Sequence, residues 1–229
     1  MLIPVVGEAE LPGTIRAGFT LALVALLLPV LGPHLPAAPA SPVIAAAVVL
    51  GEVATGLWLG WLARLLMLAL GMAGQFIASM IGMANVIEPD LAQGAPAAAL
   101  GRTFALAAPV ALLASGLYAL PLAALAGSYD VIPAGMLLPA ADSATAATAA
   151  VASCFALALR LAAPFVLGGI VWQAALALLA RLVPQMQVYF AGLPGQILGG
   201  LALVALLAAG LVGAWQDHVA AVLSALPGG

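Results

Sequence analysis

Few residues in this chain could do chemistry. It has two histidines, one cysteine, eight carboxylates and five basic residues. The histidines, His34 and His218, lie near opposite ends, and neither sits in a His-x-x-x-His or His–Glu pair at ligand spacing. With no acidic cluster either, no metal site is expected. Cys154 stands alone, which excludes an intramolecular disulfide and a cysteine-based cluster. Flanked by small and apolar residues, it reads as a buried, inert thiol. There is no Gly-x-Ser-x-Gly elbow and no Walker-type phosphate loop. No cofactor is implied, and an enzyme is the weakest class. One acid, Glu52, lies well inside an apolar run. An ionisable residue at membrane depth is a functional candidate by default. Yet one carboxylate without a partner does not make a proton relay; a protonated side chain, or one bonded to a neighbouring subunit, fits equally. Arg64 and Arg160 read as side chains that snorkel or pair at helix ends.

The elements that must hold these residues follow from composition. Of 229 residues, 66% are hydrophobic and only 6% charged, with a mean hydropathy of +1.26. A soluble domain carries roughly a quarter of its residues charged, so this is a membrane protein or the core of a membrane assembly. At about 20 apolar residues per span, the chain has room for five or six helices. The net charge of −3 comes without any basic run, so a nucleic-acid partner is excluded and no electrostatic lipid patch exists. Arg16, Arg64, Arg102, Arg160 and Arg181 are too few to set an orientation. The opening carries Glu8 and Glu10 and no cationic stretch, unlike a signal peptide.

Proline, glycine and polar residues cut the chain into apolar segments. The first is 15–31, closed by the Pro-rich 32–42. The second is 43–66, and the third follows almost without a break over 67–87. After a loop to residue 100 comes a fourth segment to about 126, then a polar connection over 127–148. The fifth, 149–182, exceeds one straight span, with Pro164 and Gly168–Gly169 as kink points. A break at 184–194 leads to the last segment, ending near Trp215. These predict one all-α unit of five to six long, partly kinked apolar helices.

Three places stand out. At 100° per residue, Gly71, Gly74, Ala78 and Gly82 fall within about 80° of one another, opposite Met72, Phe76, Met80 and Met83. The small stripe predicts close helix packing where no hydrophobic effect drives association. Two packing faces of a buried helix explain the methionines more simply than a deformable seal around a channel. The loop Glu88, Pro89, Asp90, then Gly94 and Pro96, breaks the apolar pattern. Irregular backbone near membrane depth survives inside protein or beside a water-filled cavity, and a surface loop explains it equally. Finally Pro184 and Gln185, then Gly192 and Pro194, bracket Val188-Tyr189-Phe190 and predict the tip of a helical hairpin.

That last stretch, Ala-Arg-Leu-Val-Pro-Gln-Met-Gln-Val-Tyr-Phe-Ala-Gly-Leu-Pro over 180–194, resembles the most recognisable segment of the FliR/SctT family of type III export-gate proteins. Gly74-Gln75-Phe76-Ile77 through Gly82, followed by Pro89, resembles that family's third helix and the loop after it. Pro4-Val5, Gly7, Pro12, Arg16 and Gly18 resemble its joint between the first two helices. The chain departs from the family in three ways. It starts at that joint, without the apolar helix that usually comes before it. It carries Glu88-Pro89 where Asp-Pro is favoured, and Gln187 where Asn is common.

The resemblance implies a non-enzymatic component of the flagellar export gate in the bacterial inner membrane, at the flagellar basal body. FliP and FliQ are the implied gate partners, FlhB and FlhA complete the apparatus, and unfolded flagellar subunits pass through. It implies a FliP-like part over 1–148 and a FliQ-like hairpin and tail over 149–229. Glu88, Pro89, Asp90, Gly94 and Pro96 would then plug the channel. The injectisome counterpart of the gate is the nearest alternative, with Gly192-Leu193-Pro194 closer to the flagellar branch. A small-molecule or ion transporter using Glu52 is a further one, although the inverted halves usual in transporters are not visible.

Overall fold

In the computed structural model the described residues are 12–34, 38–83, 87–89, 96–136, 139–182 and 188–225. Among them lie six α-helices: α1 (Gly13–Leu31), α2 (Pro42–Met80), α3 (Ala99–Ala114), α4 (Ala119–Val131), α5 (Ala140–Leu182) and α6 (Val188–Ser224). A two-stranded antiparallel ladder, β1 (Ile87–Pro89) with β2 (Pro96–Ala98), is the one addition to the all-α expectation among these residues. Four helices are long and apolar enough to cross a membrane. The pair α3 and α4, bent by 73°, makes a fifth candidate span.

Helix ends follow local chemistry. α2 opens on Ser41 and Pro42: the Ser41 hydroxyl accepts from the Ile44 N–H at 3.3 Å, and the proline needs no donor at the first helical position. It runs on for 39 residues, so the second and third sequence segments are one helix. Nothing between Leu66 and Met67 interrupts the backbone ladder. α2 stops at a left-handed glycine, Gly82 at φ +83°, where the Met83 N–H reaches back to the Ala78 carbonyl at 2.8 Å. Gly82 therefore lies outside the helix and ends it, rather than continuing the small stripe.

Other boundaries moved for similar reasons. The fourth segment is broken after Ala114, where Gly116 takes φ +77°. α4 extends to Val131 and α5 begins at Ala140, because the alanine-rich 140–148 is good helix former. The expected polar connection over 127–148 is thus mostly helical. Asp142 in the first turn of α5 and Arg181 in its last match the helix dipole. α5 runs unbroken through Pro164 and the glycine pair. α6 starts at Val188, so Gly192 and Pro194 are helical and not in a connecting tip, and it continues past Trp215 to Ser224.

The chain forms two compact units. One comprises Met1–Met67, Pro109–Ser153 and Gln216–Gly229; the other comprises Leu68–Ala108 and Cys154–Trp215. The second has the denser core, with Ala69, Leu70, Ala73 and Ile77 of α2, Phe104 and Ala108 of α3, and Ala158, Leu161 and Phe165 of α5 all buried. The core of the first is sparser, built on Ala63, Leu66, Leu112, Ala124, Val219 and Leu223. α1, in that first unit, has no buried residue at all.

Candidate functional site

In the second unit, glycines decide how closely helices approach. A methyl group on Gly74 would stand 2.9 Å from both Gly101 Cα and Phe104 Cβ, and one on Gly71 would stand 3.1 Å from Ala105 Cβ. Gly71 and Gly74 thus seat α3 against α2 backbone to backbone, the geometry that favours association in lipid. Gly101 answers from α3 by leaving room for the Gln75 side chain. Ala78 is fully buried. The methionine side of α2 meets α5: Met72 Sδ lies 4.0 Å from Cys154 Sγ, and Met80 packs against Gly169. The C-terminal end of α2 is tied to α6, where the Gln196 amide donates to the Met80 carbonyl at 2.8 Å. A side chain on Gly82 would meet Leu193 at 3.2 Å.

Beyond that anchored end comes the loop singled out in the sequence. Ile87 pairs with Ala98, Glu88 with Ala97 and Pro89 with Pro96. Proline has no N–H to give a ladder, so Pro89 and Pro96 face each other without a backbone donor of their own. The tip that would carry Asp90 and Gly94 lies outside the described residues, as do Pro184 and Gln185. The stalk and the α2–α3 contact are therefore neighbours along the chain, whereas the 184–194 region belongs to a different stretch, on α6 and before it.

Glu52, in the first unit, has partners that no sequence pattern pointed to. The Tyr129 hydroxyl donates to Glu52 Oε2 at 2.7 Å, and the Gly135 N–H donates to Oε1 at 2.8 Å. Both carboxylate oxygens are thus held, one from α4 and one from the turn after it. Gly135 takes φ +82°, a backbone that glycine adopts without penalty. Its bareness matters too, because a Cβ there would meet Val48 Cγ2 at 2.9 Å; a Cβ on Gly51 would likewise meet the Gly135 backbone at 3.2 Å. Two glycines let the turn lie directly on α2, and Glu52 fastens it. A recess of about 40 Å³ beside the carboxylate is lined by Thr55, Ser128 and Tyr129. The two contacts clamp α2 to α4 and to the turn after it. The available signal was Pro133-Ala134-Gly135, a turn sequence, but nothing tied it to a position 83 residues earlier.

With this geometry in view, comparison with known proteins is decisive about kinship. The chain is similar to the flagellar biosynthetic protein FliR of Caulobacter vibrioides, 28% identical over 218 residues, covering 95% of this chain and 87% of that protein. Residues 1–222 match the family model of bacterial export proteins, family 1. That match extends over nearly the whole sequence, so the chain belongs to family 1 of the bacterial export proteins.

Proposed function

We propose that this chain is a structural subunit of the flagellar type III protein-export gate in the bacterial inner membrane, packing with FliP and FliQ around the channel that passes unfolded flagellar subunits. FlhB and FlhA complete the apparatus around it. The observation that carries this reading is the whole-chain family match, joined to similarity with a flagellar protein. The surface agrees with assembly. Leu21, Leu26 and Leu206 are 70%, 71% and 78% exposed, so long helices keep apolar faces for lipid or sister subunits. In this reading residues 1–148 are the FliP-like part and 149–229 the FliQ-like hairpin and tail.

The plug belongs to the same proposal. A proline-necked stalk beyond the anchored end of α2 suits a short obstruction in a channel, with Glu88, Pro89, Asp90, Gly94 and Pro96 as its residues. The decisive experiment is to co-express the tagged chain with its host's FliP and FliQ, purify in mild detergent and read the masses by native mass spectrometry. A stable mixed complex is expected; a chain that stays apart from both, with or without an upstream extension, overturns the gate reading. In the assembled gate, replacing 88–96 by a glycine–serine linker should raise small-solute leakage. Unchanged conductance would refute the plug assignment.

A further inference from the structure

We infer that Gln196 is a latch on one of the two roots of the β1–β2 ladder, and that the ladder moves by release of that root. The two roots are built differently. On the α3 side, β2 ends at Ala98 and α3 begins at Ala99 with no residue between them. α3 is seated on α2 within a turn of that junction: a methyl group on Gly74 would stand 2.9 Å from both Gly101 and Phe104. Backbones packed that closely leave little room for a shift. On the α2 side, the ladder is reached from Met80, Ile81 and Gly82, the end of α2 and its left-handed stop.

That end of α2 sits on a glycine face. A Cβ on Gly200 of α6 would overlap the Ile81 side chain, and one on Gly169 of α5 would stand 3.4 Å from the Met80 carbonyl oxygen. Ile81 is buried as a result. A helix leaves its last four carbonyls without intrahelical donors. Here the Ala78 carbonyl accepts from the Met83 N–H at 2.8 Å, and the Met80 carbonyl accepts from the Gln196 amide, also at 2.8 Å. Gln196 is itself buried. Parting the pair would leave a buried donor and a buried acceptor unpaired together, so the contact resists small displacements.

The same end of α2 has space to move into. A recess of about 140 Å³ lies beside Met80 and Ile81, with Gly168 and Trp172 of α5 and Gly199 and Leu203 of α6 among its walls. Protein interiors hold few voids larger than a water, and this recess has the volume of several, at about 30 Å³ each. One root is therefore fixed by close backbone contact. The other is seated beside open space and tied by a single side-chain amide, which is the arrangement of a hinge and a catch.

Hydrogen exchange of the full chain in mild detergent, resolved to single amides, tests the latch. Ile81 and Met83 report on the root, since their N–H groups are bonded at 3.0 and 2.8 Å. Ala73 and Phe104 report on the rest of the second unit. Gln196→Met keeps the volume and removes the donor. It should speed exchange at Ile81 and Met83 about ten-fold, the effect of one buried hydrogen bond on a local opening, and leave Ala73 and Phe104 unchanged. Gln216→Met deletes a similar bond in the first unit, from the Gln216 amide to the Ala111 carbonyl at 3.1 Å, and should leave Ile81 and Met83 as they are. Gly168→Val puts side-chain atoms beside Leu203, which its Cβ would meet at 3.9 Å, and by filling the recess should slow exchange at Ile81 and Met83. Unchanged exchange there in Gln196→Met, an equal rise at Ala73 and Phe104, or the same rise in Gln216→Met overturns the latch. A folded Gly168→Val chain with unslowed exchange overturns the role of the recess. The consequence for transport rests on the plug reading above: in the assembled gate, Gln196→Met should raise small-solute leakage. Faster exchange at the root without leakage would keep the latch and refute the plug.

Discussion

Removing the Tyr129 hydroxyl tests whether Glu52 is a clamp. In Tyr129→Phe, Glu52 Oε2 loses the donor it holds at 2.7 Å and keeps only the Gly135 N–H on its other oxygen. Hydrogen bonds between helices in membranes are worth about 0.6 kcal/mol on average and up to about 1.7 kcal/mol. This one is charge-assisted, which puts it near the top of that range. Against that, the recess of about 40 Å³ beside the carboxylate admits a replacement water, since one needs only about 10–15 Å³. The expected cost is therefore about 1 kcal/mol. Glu52→Ala leaves two donors unpaired instead of one acceptor, for about 2–3 kcal/mol. With Glu52→Ala already in place, Tyr129→Phe should cost nothing or even help, because it deletes an orphaned hydroxyl. The coupling between the two positions is then about 1 kcal/mol or slightly more. Equilibrium unfolding in mixed micelles, followed by the fluorescence of the four tryptophans, measures all four corners of the cycle. Additivity within about 0.3 kcal/mol would refute the clamp, since independent sites add to that accuracy.

The same unfolding assay tests three glycines. Gly74→Leu forces side-chain atoms into the Gly101 and Phe104 contact at 2.9 Å and should destabilise by about 1–3 kcal/mol through overpacking; a neutral result would mean α3 is not seated there. Gly82→Ala must hold a left-handed backbone at φ +83°, for an expected loss of about 1–2 kcal/mol. Gly210 is helical with open space around it, so Gly210→Ala should gain about 0.5–1 kcal/mol in the isolated chain. If the same Gly210→Ala change weakens the co-purified complex, that face of α6 is covered by another subunit.

The clamp and the close helix contact suggest different jobs for the two units. In the second, glycine faces bring α2 and α3 together just before the proline-necked stalk. The backbone entering the loop is therefore held by a Schellman-type end, by Gln196 and by α3. In the first unit the core is thin and α1 contributes no buried residue, so fixed geometry there rests more on the Glu52 contacts.

Much of this protein was legible from residue order alone. Helicity and membrane character follow from apolar runs longer than a span, since an unpaired backbone in lipid leaves helix as the local solution. Helix starts such as Ser41-Pro42 are equally local, set by hydrogen bonds within four residues. The Pro-Gln stretch over 180–194 pointed to the family that the whole-chain match establishes. Boundaries were less legible where alanine-rich sequence carries no stop signal, as at 140–148. There helix and linker differ by tenths of a kcal/mol per residue, and neighbouring contacts decide. Gly82 looked like the last member of a stripe because a projection at 100° per residue cannot say where the helix ends; its positive φ could be seen only in three dimensions. The partners of Glu52 lie 77 and 83 residues away, and no periodicity links such positions. Residue types and spacing determined that there would be apolar helices and that one acid, Glu52, would lie deep inside an apolar run. Only tertiary structure decided which donors that acid met, because pairing across a fold depends on how helices cross and not on their order along the chain.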